Sequence, residues 1–279
     1  MKYNADLHVH IALPERELSD KQIKDKLMAY KKAGVTYLRD GGDAFGISRR
    51  AKKIAEEVGI DFRTPIFAIY KEGHYGSLLG KSYKDFDEFK ALVDEAEESG
   101  ADFIKLILSG IADFSKYGAL LDGDAEDTIT AAEIKKMVNY IHKKDLAVMA
   151  HVNGPKAIKA AIKAGVDTLE HGLFIDDEGI DMLASSATVW VPTITPIAAF
   201  IDSEKENAVA KKIATQHVEN IKTAWRYGAM LGLGTDAGAK YVDHKNAIDT
   251  EYEFLRLIVD NKEFDAHLET SFELVKWKF

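Results

Sequence analysis

The sequence predicts an α/β protein folded as a (β/α)8 TIM barrel. Three observations lead there. Short β-branched or apolar runs alternate with longer amphipathic stretches, giving eight strand–helix units in roughly 250 residues. Helix–glycine–strand junctions recur as AGVTYL, SGADFI and AGVDTL, where glycine ends one helix and a short loop feeds the next strand. The turn after the first strand, IALPER, has no glycine, which argues against a doubly wound, nucleotide-binding sheet.

Each element has a local cause. The first strand runs from Tyr3 to His10. Ser19 can cap a helix whose stripe is Ile23, Leu27 and Tyr30 and which stops at Gly34. Thr36–Asp40 is the second strand, and its helix, Ile47 to Val58, stops at Gly59. Asp61–Tyr70 is the third, followed by a helix from Phe86 to Glu98 that ends near Gly100. Ala101–Leu108 is the fourth, and Thr130 caps the helix running to Lys143. Leu146–His151 is the fifth, with Pro155 near the first turn of a helix ending at Gly165. Thr168–His171 is the sixth, with a short helix from Asp176 to Ser185. Thr188–Thr193 is the seventh, and a long helix from Glu204 to Tyr227 ends at Gly228. Met230–Asp236 is the eighth, and Thr250–Asp260 carries Phe254, Leu255, Leu257 and Ile258 on its apolar side.

Composition bounds the function. The 279 residues are 46% hydrophobic, enough to bury a large core. Only five prolines occur and no low-complexity linker divides the chain, so one domain over residues 1–279 is expected. A net charge of −9 argues against nucleic-acid or anionic-membrane binding, which want clustered Lys and Arg. The absence of cysteine excludes disulfides, thiolate metal sites and Cys nucleophiles. No apolar run has the length of a membrane span, and MKYNADLHVH lacks the apolar core of a signal peptide. A cytoplasmic protein acting on a small molecule is expected, with a homo-oligomer left open. The segment LGLGTDAG misses the GxGxxG spacing and carries little weight as a nucleotide loop.

In such a barrel, chemistry sits where strands end and loops begin. The polar residues at the predicted strand ends are His8 and His10 on the first, Lys105 on the fourth and His151 on the fifth; His171 ends the sixth and Asp236 the eighth. Residues i and i+2 of a strand share a face, so both imidazoles of HVH can point to the barrel axis and hold one ion. Taken singly, each residue has an ordinary structural explanation. Together they place four of nine histidines and a carboxylate at strand ends, and burying that many polar groups without a shared partner costs several kcal/mol. A metal centre supplies that partner. Lys105, a lysine among apolar neighbours, is the most informative residue. Burial beside a cation removes its proton. The neutral amine can then take up CO2 as a carbamate, a carboxylate on a long arm able to bridge two ions. Imidazole and carboxylate ligands suit two Zn2+ ions, with Mn2+, Fe2+ or Co2+ as alternatives.

These segments resemble the amidohydrolase superfamily along nearly the whole chain. HVH resembles its first-strand HxH, GVTYLRDGGD its second strand, GADFIKLILSG its carbamylated-lysine strand and AHVNG its fifth; LEHGLFIDDEGI, VWVPT and GTDAG resemble its last three. The fit is best to the branch of imidazolonepropionase-like enzymes and metal-dependent, prolidase-like dipeptidases. The resemblance implies that His8, His10 and Asp236 bind the more buried metal, that His151 and His171 bind the second, and that carbamylated Lys105 bridges them. It implies cleavage of an amide bond, as in a dipeptide, N-acyl amino acid or cyclic amide, by a metal-bridging hydroxide that Asp236 orients and whose proton Asp236 passes to the leaving group. Three alternatives share part of this pattern: phosphotriesterase or lactonase chemistry on the same ligands, a mononuclear deaminase, and a metal-holding barrel without turnover. The deaminase is disfavoured because HVNGPKA supplies no glutamate near His151.

There are departures from the family. HxH begins at residue 8, and HLETSFELVKWKF lacks the usual ending, so the flanking β-sandwich is expected to be absent or vestigial. The usual SGG is SGI at Ser109–Ile111, and Asn153 stands where another residue is common. Weaker candidates for substrate contact lie on loops after strands: Tyr70, His74, Tyr75, Tyr117, Tyr241 and His244. Arg39 could meet a substrate acid, though an internal ion pair fits it better. His142, His217 and His267 lie in helical segments and are expected to be solvated.

Overall fold

The fold is that of a computed structural model in which residues 4–121, 129–204 and 207–279 are described. Parallel strands form a closed circuit with helices outside. Strands β1 (Ala5–Val9), β2 (Tyr37–Asp40) and β3 (Asp61–Arg63) pair in that order. A second run pairs β4 (Ala68–Lys71) with β6 (Ile104–Ile107), then β9 (Val148–Val152), β10 (Thr168–His171) and β11 (Val189–Val191). Residues 230–237 close the circuit. The Trp190 amide donates to the Met230 carbonyl (2.8 Å) on one side, and the Leu7 amide to the Leu233 carbonyl (2.9 Å) on the other.

Two expected strands are realised differently. The third is broken between β3 and β4. Pro65 has no N–H to pair and Ile66 takes φ 66°, a left-handed conformation that an extended strand cannot hold. The free edge of β4 is taken by β5 (Gly80–Tyr83). The eighth pairs only through isolated bridges, Trp190 to Leu231 and Val9 to Ala237. Glycine is required there: a Cβ on Gly234 would stand 2.5 Å from Val191 Cγ1 and 2.9 Å from His8 Cβ. Tyr3, the expected start of the first strand, lies outside the described residues. The hairpin of β7 (Ile111–Ala112) and β8 (Leu120–Leu121) follows β6. No β-sandwich occurs among the described residues.

The outer helices follow their caps. Helix α1 (Asp20–Lys32) and helix α4 (Ala131–His142) open on capping boxes at Ser19 and Thr130. Helices α2 (Ile47–Val58), α3 (Phe86–Glu98), α5 (Pro155–Ala164) and α6 (Asp177–Ala184) fall where the sequence places them. The long helix expected over 204–227 begins later, as α8 (Ala208–Arg226), capped by Asn207. A separate α7 (Thr195–Ser203), with Pro196 in its first turn, precedes it, and residues 205–206 lie outside the described residues. Helix α9 (Ala247–Val259) starts before Thr250, and its Leu257 faces solvent.

One unforeseen element, α10 (Phe264–Lys278), closes the bottom of the barrel. Its Phe272 and Val275, with Phe279 beyond it, pack on Leu7, Tyr37, Phe103, Met149, Val189 and Val191 inside the lumen. Phe272 meets Tyr37 edge-on at 5.2 Å, and Phe279 meets Phe103 at 5.0 Å. The Lys278 ammonium pairs with Asp167 (2.5 Å).

Candidate metal centre

The opposite end of the lumen collects the polar strand-end residues. A register irregularity between Asp6 and Val9 lets Leu7 stay in the apolar floor while His8 turns to the polar layer above it. His10 has space because Gly41 lies against its ring, where any Cβ would overlap it. Lys105 and His151 occupy neighbouring strands and are buried. His171 needs a local distortion. Leu169, two residues earlier, packs in the strand–helix layer, so simple alternation sends His171 outward as well. A left-handed φ of 65° at His171 turns its ring inward. Asp236 has φ 55°, and its amide donates to the His8 carbonyl (2.7 Å).

The result is a continuous arc of imidazoles. Ring centroids are 5.3 Å apart from His10 to His8, 5.0 Å from His8 to His171 and 4.6 Å from His171 to His151. Asp236 Oδ1 lies 3.5 Å from Nε2 of both His8 and His10, so these three residues can share one ion. Burial drives all four imidazoles to the neutral, ligating form. His10 and His151 fall to about 3, with the Lys105 charge adding to the effect. His8 and His171 fall well below the usual range. Burial also lowers Lys105 to about 8 and raises Asp236 to about 7.

The donor set fits a cation. His8 Nε2 and Lys105 Nζ are buried with no hydrogen-bond partner, and each such orphan costs about 1–3 kcal/mol unless something in the cavity meets it. His10 Nδ1 is likewise buried without a hydrogen-bond partner, whereas one nitrogen of each of the other three rings is engaged. Glu170 Oε2 accepts from His8 Nδ1 at 2.6 Å, which leaves the Nε2 lone pair facing Asp236. Thr193 donates its hydroxyl proton to the Pro192 carbonyl and therefore accepts from His171 Nδ1 (2.7 Å). His151 Nε2 lies 3.2 Å from the Gly110 carbonyl, so Nδ1 is its free donor. Asn153 Nδ2 donates to the same carbonyl (3.1 Å), and its Oδ1 accepts from the Leu173 amide.

The sequence reading did not single out Glu170 or Thr193. The signal for Glu170 was a carboxylate two residues beyond Thr168 on one face of an apolar strand. Arg39 is an internal ion-pair residue, fully buried with Nη2 at 2.7 Å from Glu170 Oε1. Among the weaker candidates, the Tyr75 ring lies 5.3 Å from that of His151, and His74 and Tyr75 line a small cavity with Ser109 and Gly110. Tyr70 packs beside Ala68 and Ile107. Tyr117 donates to Gln216 on α8, and Tyr241 to Glu204 (3.1 Å). His244 is buried between the Tyr30 hydroxyl and the Leu13 carbonyl, a structural pin. One of the helical histidines is fully buried and a second partly so. His217 is buried with Nε2 donating to the Pro192 carbonyl (3.0 Å), and His267 accepts from the Leu231 amide (2.9 Å). His142 is partly exposed and pairs with Asp167.

Residues 5–267 match the amidohydrolase family. The chain belongs to the amidohydrolase family. An ochratoxinase of Aspergillus niger is 30% identical over 145 residues, 49% of this chain and 29% of that relative, so the matched part is under a third of the relative's length. An uncharacterized Mycobacterium tuberculosis protein is 25% identical over 173 residues, 60% of this chain and 45% of that one. Among solved amidohydrolase-like folds, a Xaa-Pro dipeptidase with bound methionine superposes with a TM-score of 0.78 at 23% identity, covering 98% of this chain and 75% of the other. The structure of the A. niger ochratoxinase gives 0.76 at 21% identity, covering 95% and 68%. This amidohydrolase therefore has the barrel of that family, and its buried imidazole arc lies at the strand ends.

Proposed function

We propose that this protein is a binuclear metal-dependent hydrolase that cleaves an amide C–N bond in a small molecule: a dipeptide, an N-acyl amino acid or a cyclic amide. The observation that carries the reading is the convergence of four neutral imidazoles, Asp236 and an unpartnered Lys105 amine in one buried layer. His8, His10 and Asp236 would hold one divalent ion, and His151 and His171 a second. Lys105, carbamylated by CO2, would reach both. Two Zn2+ ions supply a water that ionises near neutral pH and a Lewis acid for the substrate carbonyl. The chain's own residues do the rest. The Asp236 carboxylate faces the cluster, aligns the attacking water and takes its proton. Water oxygen bonds to the carbonyl carbon, the C–N bond breaks, and that proton goes to the departing nitrogen. Glu170 and Thr193 hold the His8 and His171 rings in the ligating tautomer.

The test is Lys105→Ala, assayed on a panel of Xaa-Pro dipeptides, N-acyl amino acids, cyclic amides, lactones and paraoxon. Wild type should hydrolyse an amide in the panel, and the variant should lose most activity and one metal equivalent. Short carboxylic acids should restore part of both. Full activity in the variant refutes the bridging role, and turnover of esters or paraoxon alone refutes the amide assignment.

A further inference from the structure

We infer that α10, at the end of the barrel opposite the metal centre, is a positioning element for His8, acting through Phe279, Arg39 and Glu170. The inference rests on the metal-centre reading above. Its basis is an unbroken buried line across the lumen. The Phe279 ring lies 4.5 Å from the Arg39 guanidinium carbon. Arg39 spends its in-plane donors on three partners. Nε donates to the Leu7 carbonyl (2.7 Å), Nη1 to Thr168 Oγ1 (2.9 Å) and Nη2 to Glu170 Oε1 (2.7 Å). The Thr168 hydroxyl donates to that same Glu170 oxygen. The other Glu170 oxygen takes the His8 Nδ1 proton (2.6 Å). Arg39, Thr168, Glu170 and His8 are all fully buried, so water cannot substitute at any link.

The geometry explains why an aromatic ring belongs at the base. A guanidinium bonded along its edges is fixed in its plane but can still tilt about it. A ring against the open face removes that freedom and adds attraction to the cation. Tilt would lengthen the bond to Glu170, and Glu170 decides which His8 nitrogen carries the proton and which faces the cluster. Phe279 is itself held, edge-on to Phe103 at 5.0 Å and beside the Lys278–Asp167 pair. Phe279, Arg39 and Glu170 are therefore positioning residues; none touches the reacting atoms.

The experiment is Zn2+ titration of the full-length, metal-stripped protein against a chromophoric chelator. Wild type should take up two equivalents. Phe279→Leu keeps apolar volume and loses the π face, and should weaken one equivalent about tenfold while sparing the other. Phe279→Tyr should restore wild-type affinity. Val275→Ala loosens α10 without touching Arg39 and should lower Tm with no change in Zn2+ affinity. Arg39→Lys, which keeps charge and loses the planar fork, should repeat the selective loss if Phe279→Leu does not fold. Unchanged affinity in Phe279→Leu, or equal weakening of both equivalents there and in Val275→Ala, overturns the positioning role and leaves the metal centre standing. A wild type that takes up no Zn2+ overturns both.

Discussion

At the bottom of the lumen Tyr37, Phe103 and Met149 meet the apolar side of α10; two residues further along the same strands stand Arg39, Lys105 and His151. The strands and the pleat are shared, yet the two layers satisfy themselves in opposite ways. The lower layer is mostly apolar: its side chains fill one another's space, Phe272 and Phe279 seal it, and the Tyr37 hydroxyl is buried there without a hydrogen-bond partner. The upper layer leaves His8 Nε2 and Lys105 Nζ with nothing to bind. Beside these orphans Arg39, Thr168 and Glu170 are also polar and buried, but they are hydrogen-bonded to one another. Packing explains the lower layer, and only an added partner explains the upper one.

The contrast can be broken at its strongest point. Asp236→Asn keeps the size of the side chain and removes the base, so kcat should fall by about 10²–10⁴-fold with Tm unchanged or raised. A fall in Tm with residual kcat intact would show that Asp236 is structural. Phe272→Ala attacks the floor and should give the reverse pattern. Chemical denaturation should show a loss of about 3–5 kcal/mol, with kcat little altered where the variant is folded.

A third test uses a buried histidine away from the centre. Burial holds His217 at about 4, below its ordinary 6.5, so it is neutral in the fold. Between pH 6.5 and 4 the unfolded chain takes up a proton that the folded chain refuses, so stability falls as pH drops through that window. His217→Gln can still donate to the Pro192 carbonyl and should reduce this acid loss by up to about 3 kcal/mol. Equal acid profiles for the two proteins would place the acid-sensitive group elsewhere. The smallest effect sharpens the comparison most. Lys105→Met fills the upper layer with an apolar chain, so the metal-free protein should gain about 1–3 kcal/mol while activity is abolished. No gain in the melting curve would mean that the amine finds a partner without metal.

Much of this was legible because barrel units are local. Capping residues at Ser19 and Thr130 and terminal glycines at 59 and 165 mark helices that form where expected. Strand-end position pointed to His8, His10, His151, His171 and Asp236 as candidate ligands, and an apolar setting pointed to Lys105. What escaped the reading depends on distant packing. Helix α10 follows no strand–helix pattern, because it plugs the lumen and does not flank it. His217 was misread although its signal was present: Ala210, Ile213, His217, Ile221 and Ala224 form one helical stripe, and the stripe is buried. Arg39 was read as an internal ion-pair residue, but its partner Glu170 emerges only once β2 and β10 face each other across the lumen, a relation that no short segment records.

The backbone seam between residues 7–10 and 233–237 sets an order of events during synthesis. His8 and His10 leave the ribosome before Asp236, which lies on the far side of the seam in chain order. A nascent chain halted before residue 230 has two histidines without their carboxylate and a first strand without its neighbour. The tripartite pocket therefore comes into being only once residue 236 has been made, which keeps products halted before it from acquiring it.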